Sequence, residues 1–315
     1  MVKANTLHLR WTGRAPISFT ANRARNRKTI RAFSRPPSAG ARLSSGPSGH
    51  RSKKTATMTS TISPVLCQSS ASSGFALPKT HFFGRDLAEY RRLFALHDAH
   101  ELRAGARVLD VAAGPASFAA EASALGVNVT AVDPCYGARL ETLAVLARAD
   151  HARVAAQMRA KPGLLRPGAT SFPDLENAIA ARRAAAERFL ADYETGFVVG
   201  RYVGAALPRL PFADASFDLV LCGHLLFLHA GFFDHDFHLA SCRELVRVTR
   251  PGGEVRLHPL CGGDGREYPR LGELLDALAA EGVTAVRVPV SGAFFHGSVA
   301  TLGLRVAGRE AGSAA

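Results

Sequence analysis

Residues 107–133, RVLDVAAGPASFAAEASALGVNVTAVD, constrain the fold of this chain more than any other stretch. A short apolar run (107–112) leads through a tight loop into a helix-periodic segment (117–125). Gly126 stops that segment, and a second apolar run (127–133) follows. Two apolar strands joined by a helix pair in parallel and need cover on both faces. The rhythm returns downstream, with strands expected at 197–207, 216–223, 253–260, 284–290 and 298–307 and helices at 236–249 and 270–282. The last two strands have only a Gly-containing turn between them and read as an antiparallel pair. The pattern predicts an α/β fold: a doubly wound, Rossmann-like mixed sheet of about seven strands, its last strand antiparallel, with helices on both faces. Ligands of such sheets bind beyond the carboxyl ends of the strands, where the strand order reverses. The first strand is expected to end at Ala112, so the opening loop lies at that place.

Between the second and third strands the alternation breaks. Residues 137–195 are alanine-rich and helical in period, with a Pro/Gly loop, KPGLLRPG, in their middle. They read as a helical insertion that packs on the core or covers a pocket as a lid.

The net charge of +13 points toward nucleic acid until its distribution is read. Residues 1–57 hold 13 Lys and Arg and no acid, whereas residues 58–315 hold 26 basic and 26 acidic residues. A balanced body has no broad basic face for phosphates, so no nucleic-acid partner is expected. Residues 1–80 read as a disordered leader: Arg-rich, then Ser/Thr-rich, and without an acid. This is the composition of an organelle transit peptide, with a chloroplast address favoured over a mitochondrial one. The alternative is a true start at Met58 and a cytoplasmic protein. The domain proper then spans 81–310. No apolar run approaches the length of a membrane span. The five cysteines form no C-x-x-C pair, so neither disulfides nor a cysteine-based zinc site is expected.

The opening loop, VAAGPAS, keeps one glycine, Gly114, where dinucleotide loops carry three. Ala112 and Ala116 add methyl groups where a pyrophosphate would approach, and Pro115 removes an N–H that a phosphate would use. The loop suits a nucleoside without phosphates, which argues against a nicotinamide oxidoreductase. Asp133 closes the second strand 19 residues past Gly114, a spacing at which a carboxylate accepts from ribose hydroxyls or caps a turn.

With these residues in view, the chain resembles the class I S-adenosylmethionine-dependent methyltransferases over residues 85–307. VLDVAAGPASFAAEASALGVNVTAVDP, LPFADASFDLVLCGHLLFLH and RELVRVTRPGGEVRLHPL carry the resemblance. The last two are typical of the small-molecule branch. The chain also resembles a bacterial-type group of that superfamily with a helical insert after the second strand. The resemblance implies S-adenosyl-L-methionine as cofactor and a small molecule as acceptor. It implies that Ala112, Gly114 and Ala116 cradle the methionine part, that Asp110 orients its amino group, and that Asp133 holds the ribose. The acid that usually meets adenine after the third strand is replaced by GAAL, so the backbone of Ala206 and Leu207 is the expected substitute. The segment after the fourth strand would border the acceptor, making His224 and His229 candidate bases or acceptor contacts. Tyr136 is placed to flank ribose or adenine. Asp234, His235, Asp236 and His238 mark a helix start rather than a metal site, and no metal is expected. Methyl transfer from a sulfonium needs mainly alignment. The competing reading is a non-catalytic binding or assembly protein on the same fold.

Overall fold

The computed structural model describes residues 74–75, 80–165, 172–290 and 295–307. Apart from residues 74–75 and 80, the leader lies outside the described residues. No described helix is long and apolar enough to cross a membrane.

Seven strands form one sheet: β1 (Arg107–Val111), β2 (Asn128–Val132), β3 (Tyr202–Val203), β4 (Phe217–Gly223), β5 (Thr249–His258), β6 (Val283–Pro289) and β7 (Ala300–Val306). Their order is β3-β2-β1-β4-β5-β7-β6. β1 to β5 run parallel, and β7 is antiparallel to both neighbours. Val108, Leu109, Asp110 and Val111 are all buried, as expected of a central strand covered on both faces. The strand order reverses between β2 and β4 on either side of β1, which puts the loop after Val111 at the switch point.

Among the described residues, six α-helices pack with the sheet: α1 (Leu87–Leu93), α2 (Phe118–Ala124), α3 (Leu140–Ala160), α4 (Leu175–Val198), α5 (His235–Val248) and α6 (Leu271–Ala280). Three start on an aspartate that accepts from the third helical N–H: Asp86 for α1, Asp174 for α4 and Asp234 for α5. One apolar cluster, with Val108, Phe118 and Phe189, fills one face. A second, with Val220, Leu245 and Leu274, fills the other.

Two expectations from the sequence need correction. The strand expected at 197–207 is mostly absent: α4 runs on to Val198, and β3 is only Tyr202–Val203. The β-branched pair Val198 and Val199 is 84% and 67% exposed, so it packs in no sheet. The helix ends there because Gly200 takes a φ of 81°. The strand expected at 253–260 starts earlier: β5 begins at Thr249 and takes in residues 250–252, and its pairing with β4 is irregular between Phe217 and Leu219.

Candidate functional site

Register brings the strand ends together. Val111 pairs with Val132 and with Cys222, and Gly223 pairs with His258. The residues that follow, Ala112, Asp133, His224 and Pro259, therefore emerge along one edge of the sheet. The opening loop turns sharply there. Gly114 has a φ of 56°, and Ala112 has a φ of 59°. A left-handed alanine costs about 1–2 kcal/mol, so neighbouring contacts must hold this turn.

Those contacts come from the end of β2. The Asp133 carboxylate accepts from the N–H of Gly114 at 3.1 Å and of Cys135 at 2.9 Å. The Tyr136 hydroxyl donates to the Gly114 carbonyl at 2.5 Å. Tyr136 is buried against Phe189 and Tyr202 and acts as a clasp between the two loops. Asp133 remains 8% exposed, and its two oxygens each take one of these N–H groups. Burial pushes its carboxyl above the ordinary range, while the bonds from Cys135 and Gly114 pull the other way.

Asp110 lies deeper, at the end of β1. It is 1% exposed and accepts from the Tyr90 hydroxyl at 2.9 Å. Burial pushes its carboxyl up to about 8; the bond from Tyr90 opposes this, and the charge of Asp133 adds to it. Ala116 is buried at the foot of α2.

Residues 80–86 form a strap across this loop. The Phe82 N–H donates to Asp150 on α3 at 2.9 Å, and the Arg85 carbonyl accepts from the Ser117 N–H at 3.1 Å. Gly84 presses on the loop so closely that a Cβ there would lie 1.9 Å from the Pro115 carbonyl oxygen. Between strap and loop is a space of about 30 Å³ lined by Ala112, Gly114, Gly223 and His224, with His81 and Arg85 from the strap. It holds about two water molecules.

A larger cavity of about 140 Å³ adjoins it, and His81, Phe83, Arg85, Leu93 and His224 line both. Its walls are mainly apolar, from Phe75, Val154, Met158, Leu165, Leu228 and Phe295. Set into them is an ion cluster. One oxygen of Glu89 meets both Arg182, at 2.5 Å, and Arg85, at 3.3 Å. Phe83 presents its ring to both guanidiniums. Burial lowers Arg85 to about 10; Glu89 opposes the shift, and the nearby Arg182 charge reinforces it.

Both candidate histidines line this larger cavity. His224 follows β4 with a φ of 57°, and its N–H donates to the His258 carbonyl at 2.6 Å. Burial and the Arg85 charge hold its imidazole well below the usual value. His229 is 4% exposed, its ring stacks on His81, and burial lowers it to about 4. Both are neutral near pH 7, able to accept a hydrogen bond but weakly basic.

Ala112, Gly114 and His224 thus line one connected space, while Asp110 and Asp133 lie just behind its loop. Ala206 and Leu207 line neither cavity. Ala206 is exposed, and its carbonyl accepts from Arg209; Leu207 is buried in the second core cluster. Sequence reasoning missed Arg85, Glu89 and Arg182. One signal was available: Arg182 occupies the apolar stripe of α4, between the buried Ile179 and Ala186, where a solvated arginine has no place.

A methyltransferase-domain family model matches residues 174–257, which covers α4 through most of β5 but not the opening loop. An uncharacterized protein of Methanocaldococcus jannaschii is 28% identical over 201 residues, 63% of this chain and 86% of the relative. Among solved structures, the chain is similar to the 1,6-didemethyltoxoflavin N1-methyltransferase of Burkholderia thailandensis. The identity is 20% and the TM-score 0.37, covering 69% of this chain and 76% of that one. It is also similar to the magnesium protoporphyrin IX methyltransferase of Synechocystis PCC 6803. There the identity is 14% and the TM-score 0.36, again covering 69% and 76%.

Proposed function

We propose that the chain is a class I methyltransferase, a reading supported by its strand order and its methyltransferase-domain match, and that it moves a methyl group from S-adenosylmethionine to a small molecule seated in the larger cavity. The observation that carries this reading is the junction of the two spaces. The switch-point loop opens directly onto an apolar cavity through His224, so a donor and an acceptor would meet there.

The donor set of the loop fits this cofactor. Asp133 offers carboxylate lone pairs at the end of β2, the place from which a ribose is held in such sheets. Gly114 adds no side chain to the crevice, and Ala112 already has the left-handed turn that lets the backbone come close. Tyr90, held by Asp110, borders the space where an ammonium group would lie. The bound cofactor supplies an activated methyl group on a sulfonium. The protein's part is then alignment and exclusion of water, which can supply roughly 7–11 kcal/mol. His224 and His229, neutral and facing the cavity, orient the acceptor through hydrogen bonds. Room for about two waters is too little for the methionyl chain, so the strap at residues 80–86 lifts from the loop when the cofactor enters. α3 and α4 wall the cavity through Val154, Met158 and Arg182, which supports their reading as its cover.

The leader's acid-free, Arg- and Ser-rich composition further supports an organellar address, tested by sequencing the mature N-terminus. The methyl-transfer reading is tested by incubating the chain with isotopically labelled donor and metabolite extracts, then searching for a labelled product by mass spectrometry. A product that appears with the native chain and is lost with Asp133→Ala supports the reading. A chain that binds the donor analogue but labels no metabolite favours the non-catalytic alternative.

A further inference from the structure

We infer that the larger cavity takes a neutral aromatic alcohol of the phenol class, its hydroxyl hydrogen-bonded to the imidazole of His229. This inference rests on the methyl-transfer reading, since it names the acceptor class for the same site.

The charged groups of the wall are engaged with one another, since Glu89 meets both Arg85 and Arg182. Its neutral polar groups are not so well matched. The His229 side chain is buried in the cavity wall, yet its Nδ1 has no hydrogen-bond partner among the described residues. Gln157, on α3, lines the same cavity with its Oε1 equally unmatched. Ser298 shares the wall, and its Oγ is bonded to His258 Nε2 at 2.7 Å, which leaves that oxygen able to accept once more. Folded chains leave few buried polar atoms unpaired. Unmatched atoms gathered on one apolar cavity therefore point to a guest that carries hydrogen-bonding groups of its own.

His229 stands beside the crevice. Its ring stacks on His81 with centroids 6.4 Å apart, and His81 lines both spaces. A neutral imidazole has one N–H and one lone pair, and its partner selects which nitrogen carries the proton. A hydroxyl both donates and accepts, so it satisfies Nδ1 in either tautomer, whereas a carboxylate only accepts. Burial, then the nearby His81, keeps this imidazole neutral, so it offers an anion no counter-charge. The rest of the guest meets Phe75, Phe83 and Phe295, with Leu93, Val154 and Met158. The Phe75 and Phe295 rings lie 5.3 Å apart, tilted by 41°, and an aromatic guest gains beyond its buried area against such rings. Phe75 is held there by its N–H, which donates to the Gly263 carbonyl at 2.8 Å. A cavity of about 140 Å³ accepts on the order of ten water-sized groups, the size of a propylphenol.

The test is calorimetric titration of the full chain with 4-propylphenol, propylbenzene, 4-propylbenzoate and 1-octanol. S-adenosylhomocysteine is titrated separately. The native chain should bind 4-propylphenol about tenfold or more tighter than 4-propylbenzoate, whose charge would lose its water and gain no cation from a neutral imidazole. It should prefer the phenol to octanol by about two- to tenfold, the worth of aromatic contacts. The ratio of phenol to propylbenzene affinity should fall about tenfold in His229→Phe, which keeps a ring and removes both nitrogens. His229→Asn should keep part of that ratio. The comparisons on the native chain stand even if a variant fails to fold. Benzoate or octanol bound as tightly as the phenol overturns the inference, as does a His229→Phe chain with an unchanged ratio. Binding of S-adenosylhomocysteine with none of these preferences overturns it too and leaves the methyl-transfer reading standing. The same preferences in a chain that binds no S-adenosylhomocysteine uphold the alcohol site and remove the methyl-transfer reading.

Discussion

Replacing Glu89 by glutamine removes the carboxylate shared by Arg85 and Arg182 and changes almost nothing else in shape. The side chains of Glu89 and Arg182 are 6% and 4% exposed, so water cannot substitute for the lost charge. Breaking a buried ion pair from one side costs about 3–5 kcal/mol, because the remaining cation keeps its desolvation penalty. At about 2–4 °C per kcal/mol for a domain of this size, the thermal midpoint should fall by roughly 6–20 °C. Helix propensity is nearly equal for Glu and Gln, and the Asp86 cap bonds the Glu89 backbone N–H, which the substitution keeps. Urea unfolding of the two chains side by side should therefore show a lower midpoint at an unchanged slope. A loss under about 1 kcal/mol, the range of exposed ion pairs, would show instead that solvent reaches the cluster and that the pair is not a buried one.

Ala112→Gly should raise stability by up to about 1 kcal/mol in denaturant unfolding, since relief of the left-handed strain exceeds glycine's entropic cost. Gly84→Ala should lower it by about 1–3 kcal/mol through overpacking of strap on loop, because the new methyl would lie 1.9 Å from the Pro115 oxygen. The buried histidines predict acid sensitivity. Burial lowers His229 and His238 to about 4 and His258 to about 3. All three are neutral in the fold and protonate readily when unfolded, near 6.5. Their contribution is complete above pH 6.5 and falls as the pH drops through 4 toward 3. Asp110, raised to about 8, acts in the opposite sense: its contribution is complete below the unfolded value of about 3.9 and is lost as the pH rises from there to about 8. From these groups alone, thermal midpoints should thus be highest at about pH 6.5, fall on the acid side, fall also between about pH 6.5 and 8 and level off above 8; a midpoint that rises from about pH 6.5 to 8 contradicts the assignment of Asp110.

The sheet was legible because its signals are local. A buried parallel strand is a run of apolar residues, and the terminal β6–β7 pair is marked by its short connection. β3 was misread because FVVGRYV contains the right residue types for a strand, whereas the segment begins inside a helix that only Gly200 stops. Asp133 and Gly114 were legible through their spacing, and they do meet by a hydrogen bond. The identity of their clasp was not, because Tyr136 reaches back 22 residues to the Gly114 carbonyl. The cavity was the least legible part. Arg85, Glu89 and Arg182 lie on a strap and two separate helices, and nothing in their sequence positions predicts that they converge. Only the arginine within the apolar stripe of α4 signalled a buried charge.

Calorimetric titration with S-adenosylhomocysteine asks whether the crevice lined by Ala112 and Gly114, with Asp133 behind its loop, receives an adenosine bearing a sulfur. Saturable binding is expected at one site per chain, weakened by Asp133→Ala about tenfold or more, as for hydrogen bonds to a charged group. A native chain that shows no saturable heat, or an Asp133→Ala chain that binds as tightly as the native one, would contradict it.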